Sequence, residues 1–205
     1  MAREEKRLYF DELSSRWDGF TDHDRVRGAL RIELDRLAVV PDVHVIDLGC
    51  GTGNLTAVLL ERLGAGGTIT AVDFSEAMVA RARGKFPDAR VKWCVADAAA
   101  LPLMPTSCDY AICFSAWPHF VNPLAVLREM NRVLRLDGSF VILHIDSREK
   151  INQIHSSASP AIMHDLLSPA ADAAALLPAA GFAVEECDDS AERYCVRGRK
   201  VRSLQ

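Results

Sequence analysis

The sequence predicts an α/β fold in which helices cover both faces of a mostly parallel, doubly wound sheet. Three observations lead to this prediction. Apolar, β-branched runs recur along the chain, and three of them end at or just before an aspartate, namely Asp47, Asp73 and Asp97. Segments with helical spacing of apolar residues alternate with these runs. The first run leads into the glycine-rich turn Gly49–Gly53, and such a turn lets the backbone approach a ligand closely.

Length and composition favour one domain. The chain has 205 residues, of which 49% are hydrophobic and 25% are charged, which suits a single soluble core. We expect one domain over residues 1–205. Within it, residues 1–41 are interpreted as an N-terminal helical lid and residues 42–146 as a cofactor-binding core. Residues 147–205 are interpreted as an acceptor-side segment followed by a C-terminal strand pair.

The charge balance and the first residues argue against several classes of partner. A net charge of −4 gives no general attraction to nucleic acid or to an anionic membrane. The charged start Met1–Arg7 has no apolar stretch behind it, so we expect no secretory signal. No apolar run approaches the ~18 residues of a spanning helix. The prediction is a cytoplasmic protein, monomeric or homodimeric, with reduced cysteines and without a nucleic-acid or membrane partner.

Two helices precede the first strand. Apolar residues at positions 9, 10, 13 and 17 predict a helix over Leu8–Trp17, and a second pattern predicts a helix over Val26–Leu37. Two helices cannot form a domain alone, so we expect them to pack over the sheet or to cover its ligand site. For Tyr9 and Trp17, a place in the core and a place at a pocket are both open.

The remaining elements follow in a regular alternation. Val43–Leu48 is predicted as the first strand, and Ser75 is a suitable N-cap for a helix after the second strand. The further predicted strands are Thr68–Asp73, Val91–Val95, Asp109–Phe114 and Ser139–Ile145, followed by a strand pair, Phe182–Glu186 and Tyr194–Val196. The predicted helices are Leu55–Leu63, Glu76–Lys85, Leu124–Leu136 and Pro169–Ala180.

Two classes of cofactor use a glycine turn after the first strand. The dinucleotide pattern places a third glycine three residues after the second, where it allows close packing of helix and strand. Here Gly49, Gly51 and Gly53 are followed by Asn54, and position 54 is therefore not the glycine that this pattern requires. The turn disfavours a nicotinamide dinucleotide.

The run Val45–Gly53 closely resembles motif I of the class I S-adenosylmethionine-dependent methyltransferases. The resemblance continues downstream at the distances typical of that family and covers residues 43–146. It is carried by the segments Asp73–Met78, Asp97–Ala98, Cys108–Phe114 and Leu127–Gly138. The resemblance implies a seven-stranded, Rossmann-like methyltransferase fold and S-adenosyl-L-methionine as the cofactor. It lies nearest to the ubiquinone and menaquinone methyltransferase-like branch, which acts on small molecules.

The resemblance also implies which residues bind the cofactor. Asp73 matches the acid that accepts hydrogen bonds from the ribose hydroxyls, and a carboxylate suits a diol. Asp97 and Ala98 match the pair near the adenine. Gly49 and Gly51 would lie against the methionine end, with an acid near its ammonium group. The full set of expected cofactor-binding residues is Asp47, Gly49, Cys50, Gly51, Gly53, Asp73, Phe74, Met78, Asp97, Ala98 and Phe114.

The methyl acceptor is expected beyond the carboxyl ends of the fourth and fifth strands, because open α/β sheets bind ligands there. After the fourth strand, His119 is a candidate base, and Trp117 is a candidate for acceptor binding together with Trp17. The alternative is a loop packed by Trp117, with His119 hydrogen-bonded within the fold.

After the fifth strand, His144 is the first-ranked candidate base, because it interrupts an apolar run at a strand end. Arg148, Asn152 and His155 follow at helical spacing and would share one face. We expect His155 to be a further candidate base and Arg148 and Asn152 to bind the acceptor. A surface helix with a hydrogen-bonded core histidine is an equally open interpretation. A metal held by His144 and His155 with Asp146 or His164 is the least favoured, and no metal is predicted.

Together these features predict methyl transfer from S-adenosylmethionine to a small-molecule acceptor, leaving S-adenosylhomocysteine. A general base is required only where the acceptor must lose a proton. Two other classes stay open: a protein that binds S-adenosylmethionine without catalysis and, less favoured, a nicotinamide-dependent oxidoreductase. The segment after the fourth strand, Phe114–Trp117, lacks the Asn-Pro-Pro-Tyr pattern of adenine and glutamine amide methylation.

Overall fold

The computed structural model describes residues 2–202, and its central element is a twisted sheet. The described residues form seven strands, and the strand order is β3-β2-β1-β4-β5-β7-β6. Strands β1 to β5 are mutually parallel, whereas β7 pairs antiparallel with both β5 and β6. The strands are β1 His44–Leu48, β2 Thr68–Asp73, β3 Val91–Val95, β4 Cys108–Phe114, β5 Leu134–His144, β6 Phe182–Asp189 and β7 Tyr194–Lys200. The predicted doubly wound, mostly parallel, seven-stranded α/β fold is confirmed.

Seven α-helices, counted over residues 2–202, accompany the sheet. Side-chain caps fix several of their starts: Asp22, Ser75 and Ser147 each accept a hydrogen bond from the backbone amide three residues later, which satisfies a free amide of the first turn. The helices are α1 Ala2–Leu13, α2 His23–Arg36, α3 Asn54–Arg62, α4 Glu76–Lys85, α5 Pro123–Val133, α6 Arg148–Ser156 and α7 Ala170–Leu176.

Apolar side chains cover both faces of the sheet. In β5, Phe140 and Ile142 belong to one buried cluster, while Val141 and Leu143 belong to the cluster on the opposite face. Successive side chains of a strand point to opposite faces, and strands buried on both faces read as continuous apolar runs. Because both faces are filled, the open positions for a ligand lie at the ends of the strands.

The N-terminal segment packs over the carboxyl end of β2. The Asp11 carboxylate accepts hydrogen bonds from the Ser75 hydroxyl at 2.6 Å and from the Ala77 amide at 3.3 Å. The rings of Phe10 and Phe74 meet edge to face, with centroids 5.8 Å apart. The segment therefore lies where a covering of the ligand site was expected. Within residues 2–202, no helix combines the length and apolar character needed to cross a membrane.

The ends of several elements differ from their predictions. The first helix runs over Ala2–Leu13 rather than Leu8–Trp17, and Trp17–Phe20 forms a short 3-10 turn instead. The early start has no apolar pattern, since it is supported by charged contacts such as those of Arg7 with Glu4 and Asp11. The last predicted helix ends at Leu176, and Pro178–Ala180 forms a 3-10 turn, because a proline lacks the amide that would continue the helix.

The strands beyond the parallel part are longer than predicted. Strand β5 begins at Leu134, which pairs with Cys108 ahead of a register shift, so the preceding helix ends at Val133 rather than Leu136. Strands β6 and β7 extend through charged residues because their side chains pair across the two strands. Glu185, for example, bonds to Arg199 at 2.6 Å. Cross-strand ion pairs of this kind stabilise a sheet edge.

Candidate active site

A cavity of about 320 Å³ opens at the carboxyl ends of β1, β2 and β4. The turn after β1 contributes Gly49 and Gly51 to its wall, the segment after β2 contributes Phe74, and the segment after β4 contributes Ser115 and Ala116. Helix α1 closes the remaining side. Parallel α/β sheets bind their ligands at this end, and a concave, largely apolar site with a few polar groups is typical of a small-molecule pocket.

The backbone of the glycine turn is exposed to this cavity. Gly49 has a φ of +76°, and a Cβ added there would lie 2.4 Å from the Cβ of Ala116. Gly51 has a φ of +50°, and a Cβ added there would meet no heavy atom within 4 Å among the described residues. Gly49 is therefore required for close packing of two turns, whereas Gly51 leaves open space beside the backbone, where a ligand can approach.

Asp73 presents a buried carboxylate to the cavity at the end of β2. Its Oδ2 accepts a hydrogen bond from the Gly51 amide at 2.9 Å, and its Oδ1 accepts one from the Ser75 amide at 2.9 Å. Burial raises its pKa to about 6, against the lowering effect of these hydrogen bonds. Each oxygen keeps a further lone pair for a ligand, because a carboxylate accepts about four hydrogen bonds. The side chain can therefore bind a diol without giving up its structural contacts.

Asp97 lies at the more open side of the cavity, after β3. Its Oδ1 accepts a hydrogen bond from the Ala99 amide at 3.0 Å, and its Oδ2 forms an ion pair with Arg3 of α1 at 2.8 Å. The Asp97 side chain is 39% exposed. Ala98 lines the same wall. The carboxylate is thus oriented by the chain and remains accessible to a hydrogen-bond donor.

Apolar and aromatic side chains form the wall between these polar groups. Phe74 and Met78, predicted as cofactor contacts, line the cavity together with Phe10 and Trp17. The Phe10 ring meets the Trp17 ring edge to face, at a centroid distance of 6.0 Å. Trp17 is therefore at the pocket, which was one of its two open interpretations. Aromatic walls of this kind suit flat ligand groups.

The other residues predicted to bind the cofactor lie behind the cavity wall that the described residues form. Asp47 is 1% exposed, its Oδ2 accepts a hydrogen bond from the Thr56 hydroxyl at 2.5 Å, and burial raises its pKa to about 7. Cys50 and Phe114 pack in an apolar cluster, and Gly53 is the N-cap residue that precedes α3. These four residues do not line the cavity, and their roles in cofactor binding stay predictions.

One histidine reaches the cavity, and its neighbours come from distant parts of the chain. His119 lines the wall after β4, and its Nδ1 lies 2.8 Å from Oδ2 of Asp165. Lys6 of α1 donates to Oδ1 of Asp165 at 2.6 Å and also lines the cavity. Burial of His119 lowers its pKa, although Asp165 opposes this effect. Burial alone would raise the pKa of Asp165, but the hydrogen bonds from His119 and Lys6 outweigh burial and lower it.

The structure places the other two candidate bases, His144 and His155, away from the cavity. His144 is 1% exposed, and neither ring nitrogen has a hydrogen-bond partner among residues 2–202. Burial lowers its pKa to about 3. His155 lies behind His119, with ring centroids 5.0 Å apart, and its Nδ1 donates to the backbone oxygen of Asp165. Neither His144 nor His155 is part of the cavity wall built by the described chain.

Of the four residues predicted to bind the acceptor, Trp17 lines the cavity and the other three do not. Trp117 is 4% exposed and packs on Phe120 and Phe140 in the core. Arg148 forms an ion pair with Asp189 at 2.9 Å. Asn152 donates to the backbone oxygen of Leu167 and accepts from its amide. The helical spacing noted after β5 corresponds to a helix, α6, but Asn152 and His155 on it bind the backbone of the segment that carries Asp165.

The disfavoured metal interpretation finds no support in the described part of the chain. Within residues 2–202, no three His, Cys, Asp or Glu side chains are grouped closely enough to hold an ion. Asp146 is instead bound by Arg25 and Lys150, and His164 is exposed.

Three charged residues at the site were missed by the sequence interpretation. Arg3 and Lys6 share a face of α1 with Phe10, and helical spacing would have shown this if the helix had been extended towards the N-terminus. Asp165 lies between α6 and α7 in a segment without regular structure. No sequence pattern indicated that its carboxylate would form a hydrogen bond with His119.

Comparisons with known proteins place this geometry in a family. Residues 46–142 match the family described as "Methyltransferase domain". A malonyl-[acyl-carrier protein] O-methyltransferase of Marinomonas is 34% identical over 151 residues, which are 71% of this chain and 53% of the relative. A demethylmenaquinone methyltransferase of Staphylococcus aureus is 31% identical over 148 residues, 69% of this chain and 60% of the relative. The chain thus spans little more than half the length of these curated relatives.

A solved structure shows the same fold. A chain from the complex between the Haloferax volcanii Trm112 methyltransferase activator and a putative methyltransferase superposes with a TM-score of 0.78 at 22% identity, covering 94% of this chain and 98% of its own length. The motif, the strand order and the family match agree. The chain belongs to the class I S-adenosylmethionine-dependent methyltransferases, and S-adenosylmethionine is the cofactor of this family.

Proposed function

We propose that this protein transfers the methyl group of S-adenosylmethionine to a small organic acceptor. The observation that carries the proposal is the cavity at the strand ends, where Gly51 leaves the backbone open and Asp73 presents a carboxylate. These are the two groups that a ligand with a ribose and a zwitterionic tail requires at adjacent positions. The acceptor would occupy the part of the cavity beside His119 and Lys6.

The residues at the cavity fit S-adenosylmethionine in chemistry as well as in position. Asp73 would accept hydrogen bonds from the ribose hydroxyls, and Asp97 would accept one from the adenine amine. Phe74 and Met78 would pack against the adenine ring, because both line the apolar wall. Gly49 and Gly51 would lie against the methionine end. Of the eleven residues first proposed to bind the cofactor, those behind the wall, such as Asp47, would support the turn instead.

When bound, S-adenosylmethionine would supply a methyl group activated by its positive sulfur, because the neutral thioether that departs is a good leaving group. The chain's own contribution is therefore orientation and exclusion of water. Phe10 of helix α1 and Ala116 of the turn after β4 line the cavity. Their apolar side chains would exclude water from the reacting atoms. A general base is needed only where the acceptor carries a proton.

A small-molecule acceptor is supported by the size and charge of the site. The cavity of about 320 Å³ is at the low end for small-molecule pockets, which hold about 300–1,000 Å³. The net charge of −4 offers no general attraction to nucleic acid. The relatives named for malonyl-[acyl-carrier protein] and demethylmenaquinone act on acceptors other than nucleic acid. A cytoplasmic location and a monomeric or homodimeric state stay predictions.

Calorimetric titration tests the cofactor part of this proposal, and labelled-methyl uptake tests catalysis. We expect S-adenosylhomocysteine and S-adenosylmethionine to bind and NAD not to bind. Incubation with S-adenosylmethionine carrying an isotope-labelled methyl group and pools of small acceptors should then label a product. Binding of NAD without S-adenosylhomocysteine would refute the proposal. Binding of S-adenosylhomocysteine without label transfer to any pool would favour a protein that binds the cofactor without catalysis.

A further inference from the structure

We propose that the acceptor is a phenol or enol, whose hydroxyl gives its proton to His119 and whose oxygen anion is held by Lys6. Asp165 is the positioning residue that orients both side chains. The inference rests on the proposed methyl transfer, and it names the class of acceptor and the residues that select it. It is carried by the contacts among the three side chains, which come from α1, the turn after β4 and the segment between α6 and α7.

The contact between His119 and Asp165 decides which ring nitrogen is free. Nδ1 lies 2.8 Å from Oδ2 of Asp165, and an ionised carboxylate only accepts hydrogen bonds, so Nδ1 carries the proton. Nε2 is then the basic nitrogen of a neutral imidazole. Among residues 2–202, no hydrogen bond to Nε2 is formed, and the side chain lines the cavity. A base with a fixed tautomer therefore faces the space left for the acceptor.

Lys6 has one more N–H donor than the fold uses. Its Nζ donates to Oδ1 of Asp165 at 2.6 Å and to the backbone oxygen of His119 at 3.4 Å. An ammonium group has three donors, and Lys6 also lines the cavity. The side chain is 12% exposed and Asp165 is 11% exposed. In a site this poorly solvated, a hydrogen bond from an ammonium to an oxygen anion is strong.

The charges around His119 favour an acidic acceptor over a basic one. Lys6 forms an ion pair with Asp165 and directs its remaining N–H towards the cavity, and the other titratable neighbours of the ring are His155 on α6 and His144 at the end of β5. Burial lowers the pKa of His119, and the charges of His155 and Lys6 act in the same direction. The imidazole is thus held in its neutral form, and the contact of Nδ1 with Asp165 leaves Nε2 as the nitrogen that can accept a proton. An ammonium acceptor would be repelled by Lys6.

The apolar surroundings select a flat hydroxyl compound. The Phe10 ring meets the His119 ring edge to face at a centroid distance of 5.0 Å, and Phe120 and Trp17 line the same cavity. Aromatic rings pack edge to face or offset-stacked. A phenol or enol would place its ring or double bond against these side chains, with its oxygen between His119 and Lys6.

The transfer balances without any other reactant. The acceptor's O–H bond breaks, and its proton goes to Nε2 of His119. The resulting oxygen anion supplies the electron pair of the new O–CH₃ bond, while the S–CH₃ bond breaks and its electron pair stays on sulfur. The products are the methyl ether and S-adenosylhomocysteine, and the proton leaves His119 for solvent.

A chromogenic probe tests this assignment without knowledge of the natural acceptor. We would titrate 4-nitrophenol into the complex with S-adenosylhomocysteine at about pH 7 and follow the phenolate by its absorbance. 4-Nitroanisole has the same ring but no O–H, and it is the matched probe. Its binding is measured by competition with 4-nitrophenol. We expect 4-nitrophenol to bind as the phenolate and at least about tenfold more tightly than 4-nitroanisole, since the ether cannot form the charge-assisted hydrogen bond with Lys6.

Three substitutions should remove this preference and leave cofactor binding unchanged. Lys6→Met and Asp165→Asn should each weaken 4-nitrophenol binding at least about tenfold, and His119→Gln should abolish the phenolate signal on binding. The matched controls Lys150→Met, Asp35→Asn and His164→Gln carry exposed side chains outside the cavity and should behave as wild type. Equal binding of the two probes, or variants that bind 4-nitrophenol as tightly as wild type, would overturn the proposal.

Two further measurements keep the outcomes distinct. Calorimetry with S-adenosylhomocysteine on every variant should give affinities close to wild type; if wild type itself does not bind it, the proposed function fails and this inference falls with it. Nitrogen-15 NMR of wild type, with His119 assigned through its contact with Phe10, should show the Nδ1–H tautomer. An Nε2–H tautomer would contradict the proposed role even if a variant failed to fold.

Discussion

The two halves of the cavity are built in different ways. In the cofactor half, Gly51 and Asp73 lie 22 positions apart in one β-α-β unit, and the amide of one bonds to the carboxylate of the other. In the acceptor half, Lys6, His119 and Asp165 are separated by 113, 46 and 159 positions. The first half depends on the ends of neighbouring strands. The second depends on side chains of three segments outside the sheet.

This difference indicates which substitutions will affect cofactor binding. The turn after β1 is held by backbone bonds, since the amides of Gly49 and Cys50 both donate to the carbonyl of Val72. No side chain is needed for these bonds. The acceptor half has no comparable support, because Asp165 is held by Lys6, His119 and the contacts of α6. We therefore expect substitutions in the cofactor half to act on binding of S-adenosylhomocysteine, and those in the acceptor half to spare it.

The largest effect is expected from Gly49→Ala. The added Cβ would lie 2.4 Å from the Cβ of Ala116, at a backbone φ of +76°, so the turns after β1 and β4 would have to separate. We expect the affinity for S-adenosylhomocysteine to fall by more than ~100-fold, or about 3 kcal/mol. Calorimetry measures this loss.

Gly84→Ala is the matched control for that substitution. Gly84 lies in α4, and a Cβ added there meets no heavy atom within 4 Å in the described part of the chain. An alanine in a helix is favoured over glycine by about 0.5–1 kcal/mol, so this variant should bind the cofactor normally and unfold at a slightly higher temperature. Normal binding by both variants would mean that the packing of Gly49 does not matter.

The next effect is the loss of folding stability that His144 causes at acidic pH. His144 has a folded-state pKa of about 3, well below the usual ~6.5 of an unfolded chain. Below about pH 6.5 the unfolded state binds the proton and the folded state does not, so stability is lost as the pH falls towards 3. From pH 7 to pH 4 we expect His144 to cost on the order of 3 kcal/mol.

Denaturant unfolding of wild type and His144→Phe at these two pH values measures that cost. The phenylalanine fills similar space without unpaired nitrogens, so the variant should lose less stability on acidification than wild type. Its affinity for S-adenosylhomocysteine should not change. The same acid sensitivity in both proteins would show that His144 is not buried as a neutral ring.

A smaller effect concerns the pH dependence of the cofactor half. Burial raises the pKa of Asp73 to about 6 in the protein without ligand. Ribose hydroxyls donate to the ionised carboxylate, so binding favours the deprotonated form, and affinity rises with pH until Asp73 is ionised. We expect the dissociation constant of S-adenosylhomocysteine to increase by up to about tenfold per pH unit below pH 6 and to be flat above it. Calorimetry between about pH 5 and 8 measures it, and a flat profile would remove Asp73 from the ribose.

The smallest effect is expected at the exposed side of the cavity. The side chains of Arg3 and Asp97 are 59% and 39% exposed, and exposed ion pairs contribute about 0–1 kcal/mol. Arg3→Met should therefore change the affinity for S-adenosylhomocysteine by less than about fivefold. A change comparable to that of Gly49→Ala would show that α1 belongs to the cofactor half.

The same contrast explains what the sequence could predict. The parallel strands β1 to β4 were predicted closely, because each is largely an apolar, β-branched run. Asp73 and Asp97 were expected at the ligand site from their places after strands and from the resemblance, and both line the cavity. The earlier start of β5, at Leu134, was missed because its first residues, Leu134–Asp137, are polar in part and pair only through a register shift at Cys108.

The acceptor half could not be predicted in the same way. His144 looked like a polar group at a strand end, yet the neighbouring strand places Tyr194 beside it and closes it off. Asn152 and His155 do share a face of α6, but that face binds the segment around Asp165 rather than a ligand. Contacts between positions so far apart depend on tertiary packing, which local spacing does not report.

The most direct test of the account is one comparison of binding. S-Adenosylhomocysteine would be titrated into wild type, Asp73→Asn and Asp165→Asn, two substitutions that remove the same charge from the two halves of one cavity. The account predicts that Asp73→Asn weakens binding by about 1–3 kcal/mol and that Asp165→Asn binds as wild type does. Equal losses in the two variants, or normal binding by Asp73→Asn, would contradict it.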